Sequence, residues 1–478
     1  MDILFVTPEM TPYSRSGQIG DVCAALPRAL RGLDHKVTVV MPLWTGGDDA
    51  VDPNAHALAR RLSTLDVQDS GPGGETTSFT LFDGRTTGGV DLVLIGHDTL
   101  FERSPGDPES KLTDAAFALG QAAAELARVR DDDVDVVHAH GYFGAAALPL
   151  FAASLPNATR VLSLHDARAR GVLDAAALER VPAAVREAAT TGTQRGGGEP
   201  SLLRAGIAAA QRVVADSQAA AEALLQADDG PAPTGALSEP GKLVGIANGL
   251  DASRWNPLTD ALLPARFDPV DSAGRNRCKD TLQADAGLAV RDDVPVLTVV
   301  ADEGIELLLG QMEALLRNDV QVVVVGAEGA AMERLDGLTE EYPERLALLE
   351  AADERTLHRS VAGADFLLIT AQDPRLGDLH LAAQQYGALP VVPAVGALLD
   401  AVVDCEASLA TGSGFHYAPG DGENMLSAVQ RALSAFGHEG FEALRKRTMQ
   451  LDLSWERVAR RYEHAYRRGD EAAQAQSD

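Results

Sequence analysis

From one end of the chain to the other, short runs of β-branched residues alternate with stretches whose apolar residues recur every three or four positions. A strand buried on both faces reads as a near-continuous run of Val, Ile and Leu, and parallel strands need a long crossover between them. The alternation therefore specifies βαβ units on parallel sheets, an α/β fold. In the first half the strand-like runs are 3–7, 36–41, 91–95, 134–138, 160–164 and 243–246. The first helix is marked by Val22, Ala25, Leu26, Ala29, Leu30 and Leu33, the spacing of one buried stripe, with Asp21 in its first turn where the helix dipole favours an anion.

A polar stretch with Pro264 and Pro269 interrupts this rhythm, after which a second set of strands begins at 296–300, 321–325, 345–349 and 366–370. The 478 residues suffice for two or three domains at ~100 to 200 residues each. The expected division is a first domain over 1–260, a connection over 261–280, a second domain over 281–450, and a C-terminal helix and tail over 451–478. Two doubly wound, Rossmann-like domains in series place a ligand cleft between the C-terminal ends of their strands. Segments 68–89 and 190–200, rich in Gly and Thr, read as loops without regular structure. The last helical stretch, 454–468, carries the stripe Trp455, Val458, Tyr462 and Tyr466.

Charge narrows the partners. Lys and Arg total 41 against 70 Asp and Glu, a net charge of −29, which opposes binding to nucleic acid or anionic membranes. No apolar run approaches the ~18 residues of a membrane span. Asp2 stands where a secretory signal places a cation, and the three scattered cysteines, Cys23, Cys278 and Cys405, lack metal or redox spacing. The expectation is a cytoplasmic protein with core thiols, bound neither to membrane nor to nucleic acid.

Three places carry candidate chemistry. The loop after the first strand contains Arg15, Gly17 and Gly20 and runs into a helix at Asp21, so its backbone amides suit a phosphate or a sugar; a plain βα turn has the same composition. His138 and His140, two apart on a strand, share one face as some metal ligands do, but no Asp, Glu or Cys completes a set, and neither a metal nor another cofactor is expected. His165 ends the next strand, where a neutral imidazole serves either a sugar hydroxyl or the core.

Taken together these residues resemble bacterial glycogen synthases and plant starch synthases. Arg15-Ser-Gly-Gln-Ile-Gly-Asp-Val22 is similar to that family's Lys-Thr-Gly-Gly-Leu-x-Asp-Val loop, with Glu9 and Pro12 at the matching upstream spacing. His138-Ala-His140, Leu164-His-Asp166, Leu203-Arg-Ala-Gly206 and Gly245-Ile-Ala-Asn-Gly-Leu-Asp251 follow in family order, as do Trp255-Asn-Pro257, Tyr386-Gly-Ala-Leu-Pro390 and Leu453-Ser-Trp455. The resemblance implies a GT-B fold, two Rossmann-like domains facing a central cleft with the last helix crossing back to the first. It also implies retaining transfer of glucose from ADP-glucose to an α-1,4-glucan without a metal. His165 then falls on the catalytic position, and Arg15, Gly17, Asp21, Asn248 and Gly377 fall on substrate-binding positions.

The departures from the family pattern share a direction. Where the family has Ser-Arg-x-x-x-Gln-Lys-Gly, whose cations hold the diphosphate, this chain has Val300-Ala-Asp-Glu-Gly304, two carboxylates and no cation. The family's Arg-Phe-Glu-Pro-Cys-Gly-Leu aligns with 372–378, which puts Pro374 at the active-site Glu, with Asp373 and Arg375 beside it. Its Arg-Arg-Thr-Gly-Gly-Leu becomes Pro393-Ala-Val-Gly-Ala-Leu398, and the Asp after His-Ala-His becomes Gly141. A leaving nucleoside diphosphate gathers negative charge that cations must meet. Two readings follow: a non-catalytic relative that binds glucan, or an active synthase working with substituted residues; ADP-glucose is a ligand of the second.

At low ionic strength a net charge of −29 strains the folded state by self-repulsion. The melting temperature is expected to rise between low salt and 0.1 M NaCl, where the screening length is ~10 Å. A flat or falling curve would mean that the carboxylates are paired locally.

Overall fold

The computed structural model describes residues 1–14, 17–47, 50–68, 76–104, 107–130, 133–191, 198–226, 236–349, 353–371 and 378–474, with side chains up to 467. The chain divides into two units. The first comprises Met1–Asn248 and Trp455–Asp478, and the second Gly249–Ser454.

Among the described residues, ten strands form the first unit's sheet: β1 (Asp2–Val6), β2 (Lys36–Pro42), β3 (Ala59–Arg60), β4 (Leu65–Gln68), β5 (Thr76–Arg85), β6 (Asp91–Gly96), β7 (Val136–His140), β8 (Thr159–Ser163), β9 (Arg212–Ala215) and β10 (Leu243–Gly245). Their order is β10-β9-β8-β7-β1-β2-β6-β5-β3, with β4 on β5. From β10 to β6 every pairing is parallel, and Phe5 lies between Val39 and His138 in register. The β5 pairings are antiparallel. Segment 68–89 was expected to be irregular, yet residues 76–85 are the longest strand of the sheet. Its Thr-rich composition suits a strand that buries Phe79 and Leu81 alternately and leaves polar residues outward.

The first helix spans Gln18–Gly32 and buries Val22, Ala25, Leu26, Ala29 and Leu30. The C-terminal helix, Trp455–Gln474, belongs to the same unit, where Trp455, Val458, Tyr462 and Tyr466 join the core. Among the described residues no helix is long and apolar enough to cross a membrane. Cys23, Cys278 and Cys405 are free and buried.

The second unit has one parallel sheet of strands β11 (Val296–Val300), β12 (Gln321–Val325), β13 (Leu346–Leu349), β14 (Phe366–Leu368), β15 (Leu389–Pro393) and β16 (Phe415–Tyr417), ordered β13-β12-β11-β14-β15-β16. Alternate residues feed opposite faces: Leu297, Val299, Val322 and Val324 pack into one core, Val296, Val300, Val323 and Val325 into the other. Residues 261–280, expected to connect domains, are instead built into this unit. Ala265, Phe267 and Cys278 lie in its core, and the Cys278 thiol donates to Ala265 O at 3.3 Å. Just before them, buried Asp260 accepts from Tyr386 Oη at 2.7 Å and meets His358 Nδ1 at 2.7 Å, while Trp255 stacks on His358 with centroids 3.8 Å apart. The polar composition thus marks a wrapped segment, and the chain changes unit earlier, after Asn248.

One buried carboxylate organises the sheet's N-terminal edge. Asp365, 1% exposed, accepts from Val296 N at 3.0 Å, Lys279 Nζ at 2.8 Å and Arg445 Nη2 at 2.8 Å, with Arg275 Nη1 at 3.3 Å. Burial pushes its carboxyl up, and Arg275, Arg445 and Lys279 outweigh that and hold it below the usual range. Removing one member of such a cluster strands the others without a counter-charge. Asp365→Asn is therefore expected to lower the unfolding free energy by about 3–5 kcal/mol in urea titrations. A loss below about 1 kcal/mol would show that the three cations find water.

Candidate functional site

In the first unit the strand order turns at β1, which has β2 on one side and β7 on the other. Open α/β sheets form their ligand crevice beyond the strand ends at such a switch point. The loop after β1 is fastened from inside. Buried Glu9 accepts from Gly20 N at 3.0 Å, Thr7 Oγ1 donates to Glu9 O at 3.0 Å, and Trp44 Nε1 donates to Pro8 O at 2.7 Å. Asp21 accepts from Thr11 Oγ1 at 2.9 Å, so this candidate binding residue shapes the loop. Gly17 caps the helix that follows.

Three imidazoles gather behind the crevice. His138 and His140 sit on β7, His165 just beyond β8, and the pairing of His140 with Ser163 brings the strand ends level. Both nitrogens of His138 are engaged, Nε2 with Ser163 Oγ at 2.9 Å and Nδ1 with Tyr466 Oη at 2.9 Å. His140 Nδ1 lies 2.9 Å from His165 Nε2, and Phe5 stacks on the His140 ring at 5.1 Å. The pair that resembled metal ligands is thus committed to protein partners, and among the described residues no three acidic, His or Cys side chains form a metal-sized group. His140 Nε2 is buried with no hydrogen-bond partner among the described residues.

Burial draws all three imidazoles below their ordinary pKa, His165 to about 4, and the neighbouring rings add to the effect on His138 and His140. All three are neutral at pH 7. His165 holds a left-handed backbone, φ 54°, a conformation that costs a non-glycine residue roughly 1–2 kcal/mol. Its Nε2 is taken up by His140 Nδ1 at 2.9 Å. A neutral imidazole orients a hydroxyl or a carbonyl and carries no charge of its own.

A cavity of about 140 Å³ lies beside them, lined among others by Glu9, Trp44, Arg103, His140, Tyr142 and Asp166. The Arg103 guanidinium sits over the Trp44 ring at 5.1 Å. Gly141, also on its wall, has φ 60°. This left-handed conformation is one that glycine adopts without strain.

The remaining candidates lie elsewhere. Asn248 follows the edge strand β10, three strands from β7. Arg15 and Gly377 fall outside the described residues, as do Asp373, Pro374 and Arg375. In the second unit, Asp302 turns its carboxylate inward: Oδ1 accepts from Gly304 N at 2.9 Å and Thr370 Oγ1 at 2.6 Å, and Oδ2 from Ala371 N at 3.2 Å. A Cβ at Gly304 would strike the Thr370 and Ala371 backbone, so the turns after β11 and β14 are in direct contact. Sequence reasoning took Asp302 as a reversal of charge and missed that it clamps these turns. It also missed Tyr466 as the partner of His138.

Known proteins resemble this chain in sequence and in fold. The model of the starch synthase catalytic domain matches residues 2–239. A glycogen synthase of Anaeromyxobacter sp. (strain Fw109-5) is 31% identical over 98% of this chain and 99% of its own length. Glycogen synthase 2 of Agrobacterium fabrum is 30% identical over 97% and 91%. Among solved structures, the catalytic domain of starch synthase IV from Arabidopsis thaliana, bound to ADP and acarbose, superposes with a TM-score of 0.83 at 22% identity, covering 98% of this chain and 99% of that one.

The neutral imidazoles make stability depend on pH. Unfolded histidines take up a proton near pH 6.5, whereas these resist protonation until about pH 4 in the case of His165, so acid favours the unfolded chain. Their stability contribution is intact above pH 6.5 and lost as the pH falls through that window, at up to about 1.4 kcal/mol per imidazole per pH unit. Thermal melts are expected to show a falling midpoint from pH 7 to 5; a constant midpoint would mean that water reaches the rings.

Proposed function

The chain belongs to the glycogen and starch synthase family, and we propose that within it this protein retains glucan recognition while its own glucosyl transfer from ADP-glucose is weak or lost. The fold is GT-B type, with two Rossmann-like units. The family reaction moves glucose from ADP-glucose to an α-1,4-glucan, and the leaving ADP must be met by positive charge. The observation that carries the reading is Asp302. At the turn where relatives place cations, its carboxylate is locked to Gly304 N, Thr370 and Ala371 N, and Glu303 adds a second negative charge. An exposed diphosphate would face repulsion there. Losing a single stabilising donor costs ~3 kcal/mol, ~10²–10³ in rate.

In this reading the first unit takes the acceptor. Tyr142 offers an aromatic face, Arg103 and Asp166 offer polar partners, and His165 stands behind that wall with its Nε2 on His140 Nδ1. Arg15, Gly17, Asp21 and Asn248 serve that unit's substrate contacts, and Gly377 serves the donor side. The presence of ADP and acarbose in the Arabidopsis relative agrees with these ligand classes. The cytoplasm, where buried thiols stay reduced, is the fitting compartment.

One observation favours the active synthase instead. The left-handed backbone of His165 and its contact with His140 support this reading, since strained residues gather at functional sites, and Arg375 is the candidate replacement cation. Incubation with labelled ADP-glucose and glycogen separates the two. We expect incorporation at least ~10²-fold below that of an intact relative, together with saturable maltooligosaccharide binding by calorimetry. Robust incorporation that His165→Ala abolishes would establish the active synthase.

A further inference from the structure

A second cavity of the first unit, about 410 Å³, lies between the C-terminal helix and the edge strand β10, away from the imidazole cluster. Its walls bring together Arg212, Arg460, Arg461 and His464 over an apolar floor that includes Val244 and Ile246. No carboxylate is among the described residues that line it. In a chain of 41 cations and 70 acids, such a one-signed lining is set apart from the surrounding field.

The two guanidiniums and the imidazole of the C-terminal helix are positioned by the fold. Positions 460, 461 and 464 share one side of the C-terminal helix, opposite Val458, Tyr462 and Tyr466, which are in the core. Arg461 Nη2 donates to Gly245 O at 2.9 Å, and Arg212 Nη1 donates to Gly241 O. Each of these guanidiniums is therefore fixed by a backbone carbonyl of β10 or the turn before it, while a guanidinium carries five N–H donors in all. Among the described residues no ion pair engages Arg460, Arg461 or His464. Of the acids nearby in sequence, Glu463 pairs with Arg467 at 2.7 Å and with His35 at 3.3 Å, and Glu239 lies 4.0 Å from Lys242.

We propose that this cavity binds a small organic phosphate, its phosphoryl oxygens on Arg460, Arg461 and His464 and its carbon portion on Val244 and Ile246. Guanidiniums in a fixed fork suit phosphate oxygens through charge-assisted hydrogen bonds, and the apolar floor selects for an organic group over the bare anion. The site is independent of the glucosyl-transfer reading, because it uses none of the residues assigned to acceptor or donor. A bound ligand ties the C-terminal helix to the sheet edge, so occupancy also raises the melting temperature.

Calorimetry on the full chain with phenyl phosphate and with inorganic phosphate tests the proposal. Phenyl phosphate is expected to bind saturably, more tightly than inorganic phosphate and more weakly as NaCl is added, and to raise the melting temperature. The double substitution Arg460→Ala with His464→Ala, on exposed positions, should weaken that binding at least tenfold while leaving the ligand-free melt unchanged. Absence of saturable binding, equal affinity for the two probes, or binding that the double substitution leaves intact would each overturn it. His165→Ala, which alters the other cavity, should leave phenyl phosphate binding as it was.

Discussion

A parallel sheet covered on both faces offers no water to a polar side chain placed within it, so each such group must find its partner inside the protein. Both units obey this constraint, and in each one residue joins several elements. In the first, His138 links β7, β8 and the C-terminal helix through Ser163 and Tyr466. In the second, Asp365 links the starts of β11 and β14 to the helices carrying Lys279 and Arg445. The first is a neutral solution and the second a charged one. A neutral imidazole asks only for one donor and one acceptor, whereas the carboxylate needs cations from two helices to remain ionised.

The same requirement shapes the candidate site. His140 and His165 complete a run of stacked rings that starts at Phe5, and because burial keeps them uncharged they supply direction without charge. Cationic chemistry has to come from other groups. In the second unit the described turn after β11 supplies a carboxylate, used to clamp its neighbour. The two units thus differ at these strand ends, neutral aligned rings in one and a hydrogen-bonded carboxylate in the other.

Strands β11 and β12 were legible residue for residue, because burial on both faces writes an unbroken Val-rich run. Strand β5 was not, since a half-buried strand alternates and its Thr and Gly mimic a loop. Strands β9, β15 and β16 were missed as well, although β10 and β14, three residues each, were legible. At the site, His165 was legible as a polar residue closing a buried run. Its contact with His140 depends on the register of β7 with β8, and the clamp of Asp302 on Thr370 spans 68 residues, so neither is encoded in local pattern. Segment 261–280 misled because polarity marks exposure on one side as readily as it marks a linker.

The tyrosine that completes His138 lies 328 residues further along the chain, beyond the whole of the second unit. A ribosome delivers the chain from its N-terminus, so β7 and β8 are made long before the helix that covers them exists. The second unit is continuous in sequence and can close upon itself once the helix carrying Arg445 has emerged. The first cannot, because Trp455, Tyr462 and Tyr466 belong to its core. Synthesis order and assembly order are therefore inverted: the part begun first is finished last, and a chain halted shortly before residue 455 holds a complete second unit beside a first one whose buried histidine still lacks its partner.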